Sequence, residues 1–105
     1  MFEELSQQIH KTAVDKGFWP EDFDDIFVTK QLMMIVSEAV EVMEAIRKSH
    51  GKAAVADEMA DIIIRTLDLY EGLIDGGYVD ISLAEAVEKK TAYNITRPQK
   101  NGVKF

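Results

Sequence analysis

Two acidic pairs are the residues most able to do chemistry: Glu38 with Glu41, and Glu58 with Asp61, each spaced three apart. On a helix that spacing puts both carboxylates of a pair on one side, roughly 60° apart at ~100° per residue. Glu38 and Glu41 emerge between Met34 and Val42 rather than on a fully polar face. Glu58, Asp61, Arg65 and Asp68 line one side of the following segment. Carboxylates converging without counterions repel, and burying them unpaired is expensive. A hard divalent cation resolves that conflict: Mg²⁺ takes oxygen ligands octahedrally and shares its remaining positions with water and substrate phosphates. Each pair alone reads more simply as a solvated acidic face, so it is the occurrence of two pairs on adjacent helices that points to a metal.

A second group lies near the C-terminus, where Lys90 and Asn94 share a helix face, Arg97 precedes Pro98, and Lys100 and Lys104 follow. These residues either complement a helix C-terminal dipole or capture a polyphosphate. Trp19, with Phe18, offers a face on which a nucleobase can stack, and His10 can hydrogen-bond to it; the alternative for a lone Trp is a place in the core. Other chemistries lack their residues. There is no cysteine, which excludes thiol nucleophiles and Cys-based zinc sites. Neither His10 nor His50 has a Glu three positions before it, which argues against a di-iron bundle. No Gly-x-Ser-x-Gly elbow, Walker A sequence or Gly-x-Gly-x-x-Gly loop occurs.

The elements that must position these groups are helices. Only Pro20 and Pro98 interrupt segments rich in Ala, Glu, Leu, Met and Ile. Phe2, Leu5, Ile9 and Ala13 form one apolar stripe of a first helix that stops at Gly17. Residues 17–25, mixing aromatics, acids and Pro20, read as an ordered loop. A second helix is expected over 29–49, with Gly51 in its C-terminal turn and a core stripe of Leu32, Ile35, Val36, Ala39, Met43 and Ile46. A third is expected over 53–74, closed by Gly76-Gly77, with a core stripe of Ala56, Ala60, Ile63, Leu67, Tyr70 and Ile74. Ser82-Leu83-Ala84-Glu85 reads as a capping box opening a fourth helix to Tyr93, followed by an irregular tail over 97–105. The expectation is an all-α fold, one compact four-helix bundle over 1–105. Antiparallel packing across the short turn at 49–52 lets the two acidic pairs meet.

The chain has 105 residues, enough for one core, with 12 basic against 19 acidic residues and a net charge of −7. That balance argues against DNA or RNA polymers as partners, since their binders rely on Lys and Arg. Nucleotides stay in play if a metal supplies positive charge. With 47% hydrophobic residues the composition is globular. No apolar run reaches the length of a signal core or membrane span, so a soluble, unprocessed, cytoplasmic protein is expected.

Four segments carry a resemblance: Lys16-Gly17-Phe18-Trp19, the run from Ser37 to Ile46, the run from Asp57 to Ile64, and the run from Lys90 to Pro98. In this order they resemble the MazG-like branch of the all-α nucleoside triphosphate pyrophosphohydrolases. The similarity covers nearly the whole chain and includes a closing Gly102-Val103-Lys104-Phe105. It implies an oligomeric, four-helix bundle-like MazG fold, homodimeric or homotetrameric, with active sites that a neighbouring subunit can complete. It further implies Mg²⁺-dependent cleavage of a (d)NTP to a (d)NMP and pyrophosphate, with Mn²⁺ as a substitute metal. By position, Glu38, Glu41, Glu58 and Asp61 correspond to metal ligands; Lys90, Asn94 and Arg97 to phosphate contacts; and His10 and Trp19 to the base pocket. Glu38 or Glu41 is the candidate general base. Many relatives carry an acid where this chain has Ser37, and His-Gly where it has Asn101-Gly102. The rival reading is a non-catalytic helical module for oligomerisation or nucleotide binding.

Overall fold

A computed structural model describes residues 2–98 of the chain. The tail with Lys100, Lys104, Asn101-Gly102 and the closing Gly102-Val103-Lys104-Phe105 lies outside the described residues. Four helices follow in order: α1 (Phe2–Asp15), α2 (Asp25–Arg47), α3 (Lys52–Asp75) and α4 (Leu83–Thr96). The described residues contain no strand, in agreement with the all-α expectation. None of these helices is long and apolar enough to cross a membrane.

The helix ends follow from local hydrogen bonding. At the end of α1, Phe18 N–H donates to Ala13 O (3.0 Å) and Gly17 N–H to Val14 O (2.9 Å), with Gly17 at φ 80°. This Schellman arrangement recurs at Gly77, where Tyr78 N–H donates to Leu73 O (2.8 Å). At the end of α2 the left-handed residue is Ser49 (φ 55°), and His50 N–H closes the motif on Ala45 O (2.9 Å). Gly51 therefore does not end α2, as expected from sequence; it is the N-cap of α3, at φ 103°.

The start of α2 also differs from expectation. Asp24 caps it by accepting from Phe27 N–H (3.0 Å), so the helix begins at Asp25 and takes in residues 25–28, ahead of the expected start at 29. Tyr78 donates to Asp25 Oδ1, tying the loop after α3 to this first turn and raising the Tyr78 pKa. The capping box of α4 is seen as expected on its Ser82 side: Ser82 Oγ accepts from Glu85 N–H at 3.1 Å.

The core is built where α1 and the aromatic loop meet the C-terminal half of α3. Trp19 lies edge-on to His10 and Phe23, with ring centroids at 5.0 and 5.1 Å, and tilted against Phe27 at 5.2 Å. Its six-membered ring fills the space a side chain would occupy at Gly72, where a Cβ would fall 2.0 Å from Trp19 Cη2. Leu67, 1% exposed, and Leu69 pack beneath. Buried Ser6 places its hydroxyl 3.3 Å from Leu67 O and 3.0 Å from Glu71 Oε1, satisfying the one polar side chain buried among the described residues.

The expected core stripes hold only in part. On α2 the least exposed line runs through Val28, Met34, Ile35, Glu38, Val42 and Ala45. Leu32, Val36, Ala39, Met43 (66% exposed) and Ile46 face outward instead, because α1 packs on α3 and leaves this face of α2 without a covering helix. On α3 the stripe is buried or half-buried at Leu67, Tyr70 and Ile74 but exposed at Ala56, Ala60 and Ile63. Nor do four helices share one compact core: α4 buries no residue and is laid against α1. Its leading loop is pinned where Tyr70 Oη donates to Ile81 O (2.9 Å).

Gly72→Ala forces the Trp19 ring out of its seat. We expect a loss of about 1–3 kcal/mol, the usual cost of overpacking, in urea denaturation, with a red-shifted Trp19 fluorescence maximum.

Candidate metal centre and nucleotide cleft

The antiparallel packing of α2 on α3 brings Glu38, Glu58 and Asp61 together, with one carboxylate oxygen of each within 4.8 Å of the others. Glu38 and Glu58 are half-buried and Asp61 is exposed. Glu41 stands outside this trio on the exposed side of α2, yet its charge reaches Glu58. The Glu58 pKa is raised above its ordinary value, first by lost solvent and then by the charges of Asp61, Glu41, Glu38 and Asp57. Glu38 is relieved differently: Arg65 Nε donates to Glu38 Oε1 at 2.8 Å. The sequence placed Arg65 on the acidic side of α3 but gave it no partner, because side-chain reach across a hairpin is set by tertiary packing.

This donor set suits a hard divalent cation. All three ligands are carboxylates, and the repulsion seen at Glu58 is what a cation removes. The same chemistry accepts Mg²⁺ or Mn²⁺.

Beside the trio is a cleft of about 280 Å³ lined by Ile9, Phe18, Glu38, Asp61, Ile64, Arg65 and Asp68. Arg65 is the one cation among these residues. Larger hollows lie elsewhere, such as that of about 440 Å³ between α1 and the 80–82 loop, but they do not border the trio. Phe18, 67% exposed, and Ile64 supply apolar walls.

His10 and Trp19 meet at the far end of the cleft, on Asp68. Trp19 Nε1 donates to Asp68 Oδ1 (2.9 Å), and His10 Nδ1 donates to the same oxygen (2.7 Å). His10 Nε2 faces Asp75 Oδ2 at 3.1 Å. Trp19 is thus engaged in intramolecular packing on several sides, whereas the neighbouring Phe18 is the aromatic residue open to the cleft. Asp68 was visible in the sequence only as the last of four ionisable residues on one side of α3; its role as the acceptor joining His10 and Trp19 required the fold.

Lys90, Asn94 and Arg97 are exposed on and after α4. Lys90 Nζ lies 5.1 Å and Arg97 Cζ 5.9 Å from the Tyr93 ring centroid. Among the described residues, no hydrogen bond or ion pair joins these three to the acidic trio. Within one chain they and the cleft are separate features.

No family model, curated protein or solved structure matches this chain.

The raised Glu58 pKa has a definite sign in stability. Between the ordinary value of 4.5 and its raised value, the folded state holds more protons than the unfolded one, so stability falls as pH rises through that window. In metal-free buffer Glu58→Gln should flatten this fall in thermal denaturation across pH.

Proposed function

We propose that this protein is a MazG-like, Mg²⁺-dependent nucleoside triphosphate pyrophosphohydrolase, with Mn²⁺ able to replace Mg²⁺. The observation that carries this reading is the convergence of Glu38, Glu58 and Asp61 within 4.8 Å, beside a cleft whose one cation is Arg65. A divalent cation there supplies positive charge for phosphate oxygens and lowers the pKa of a water molecule.

Glu38, Glu58 and Asp61 hold that cation. Arg65, already drawn to Glu38, is positioned to meet the phosphates. Glu41 is the proposed general base, since it lies outside the trio and is not tied up in an ion pair among the described residues. In the proposed reaction the water oxygen bonds to the α-phosphorus and the bond from that phosphorus to the bridging oxygen of the β-phosphate breaks. Pyrophosphate departs, and the water's proton passes to Glu41. Little covalent work falls on the protein; positioning and charge carry the rate.

The outward apolar residues of α2 and α3 support assembly. Leu32, Val36, Met43, Ile46, Met59 and Ile63 form more exposed apolar surface than scattered single residues would. The proposed partner is a second copy of the chain, as a homodimer or homotetramer, with Lys90, Asn94 and Arg97 brought to a neighbouring copy's cleft as phosphate contacts.

Glu41→Gln and Asp61→Asn should each lower Mg²⁺-dependent pyrophosphate release more than about 100-fold, beyond the cost of losing an outer-shell partner, with unchanged helical circular dichroism. Full turnover in either variant sinks the assignment. A thermal-shift titration separates the rival: stabilisation by neither Mg²⁺ nor a dNTP favours a non-catalytic helical module. Met43→Lys, placing a charge in the apolar face, should shift the protein toward monomer in multi-angle light scattering and reduce turnover with it.

A further inference from the structure

Asp68 is ordered more than a surface carboxylate would be. Its side chain is 20% exposed, and both Trp19 Nε1 and His10 Nδ1 donate to the same oxygen, Oδ1. Oδ2 takes no hydrogen bond from any described residue, although Asp68 lines the cleft. An ionised carboxylate only accepts. The unused acceptor is therefore held in a fixed orientation, with its rotation stopped by two donors on the other oxygen.

Position adds to this. Asp68 is seven residues beyond Asp61 on α3, about 10 Å along the helix at ~1.5 Å per residue and on the same side. A nucleotide whose phosphates lie at the metal trio places its sugar and base along this direction, past Arg65, with Phe18 and Ile64 as apolar walls for the base.

We infer that Asp68 is a specificity-determining residue that selects cytosine or adenine by the exocyclic amine at N4 or N6, through acceptance of the amine N–H by Oδ2. This rests on the nucleotide reading of the cleft given above. Uracil and hypoxanthine present a carbonyl oxygen at the corresponding position. Two acceptors then face each other, and neither is satisfied. Sites built to pair with one polar group reject an analogue that lacks it far more strongly than apolar pockets reject a size change.

The geometry also dictates what Asp68→Asn does. Trp19 Nε1 only donates, so the amide oxygen stays at the Oδ1 position and the amide NH₂ takes the place of Oδ2. The acceptor offered to the base becomes a donor, and the preference reverses toward uracil.

The test uses Trp19, the single tryptophan of the chain, as its reporter. CMP and UMP, then AMP and IMP, are titrated against the full-length protein with Mg²⁺ present, following Trp19 fluorescence. The amino member of each pair should bind at least about 10-fold tighter, consistent with one unsatisfied polar group. In Asp68→Asn the CMP-to-UMP ratio should fall by a similar factor or more. Equal affinities within each pair, no binding of any of the four, or an unchanged ratio in a folded Asp68→Asn protein overturns the inference. If the variant does not fold, the two matched pairs on the parent protein decide the matter. Pyrophosphate release from CTP and UTP with Mg²⁺ is measured in parallel. Absence of release from both overturns the hydrolase reading alone, because the monophosphate titration involves no hydrolysis.

Discussion

The candidate site depends on the register of the α2–α3 hairpin. Ser49 and Gly51 bracket the connection in positive-φ conformations, which fixes how α3 leaves α2. Glu38 and Asp61 are equally far from that turn in sequence, so antiparallel packing sets them side by side. One residue more or less in the turn would rotate a helix face by ~100° and scatter the carboxylates. The energetic cost of their meeting is visible in the raised Glu58 pKa and is partly offset by the ion pair from Arg65 to Glu38. The helices stay packed in spite of this repulsion, with Ala45 buried and Val42 and Val55 half-buried.

A second constraint governs the other end of α3. Gly72 has no side chain, and Trp19 occupies that space, drawing the loop after α1 onto α3. With Trp19 seated there, its indole N–H reaches Asp68, and His10 on α1 reaches the same carboxylate. One packing event therefore joins α1, the aromatic loop and α3, and it leaves Phe18 on the open side. Glu58 and Asp61 of the acidic trio lie on the same side of α3 as Asp68, so the rigidity of that helix fixes their separation.

Helix number and most boundaries could be read from the sequence because they rest on local rules: Gly17 and Gly77 as left-handed helix stops, and Ser82 as a cap. The α2 start was missed because Asp24 caps within an acidic, aromatic stretch that also has loop composition. Ser49 took the place at the end of α2 expected for a glycine, and only backbone geometry reveals that. The acidic trio was legible from its spacing, since two i, i+3 pairs on adjacent helices have few ways to point. Glu41's place outside it was not, because which member of an i, i+3 pair turns toward the neighbouring helix is set by how the two helices pack. Part of each apolar stripe is covered as expected, at Ile35 and at Leu67, Tyr70 and Ile74, and the rest faces outward: periodicity identifies an apolar face, and the packing of the neighbouring helices decides which part of it the same chain covers.

That uncovered face and the position of α4 bear on the same question. In one chain the cleft offers Arg65 as its cation, while Lys90 and Arg97 lie over Tyr93 on a helix that packs against α1. A triphosphate carries more negative charge than one divalent ion and one guanidinium neutralise, and the surrounding acids increase the deficit. Further cations are therefore required for the proposed reaction. The chain has them on α4, in a place its own hairpin does not reach. It also exposes Met43, Ile46 and Ile63 along that hairpin, surface that a second copy would remove from water. Assembly through the apolar face would thus serve stability and electrostatics together, by covering the hairpin and bringing positive charge from one copy to the carboxylate-rimmed cleft of another.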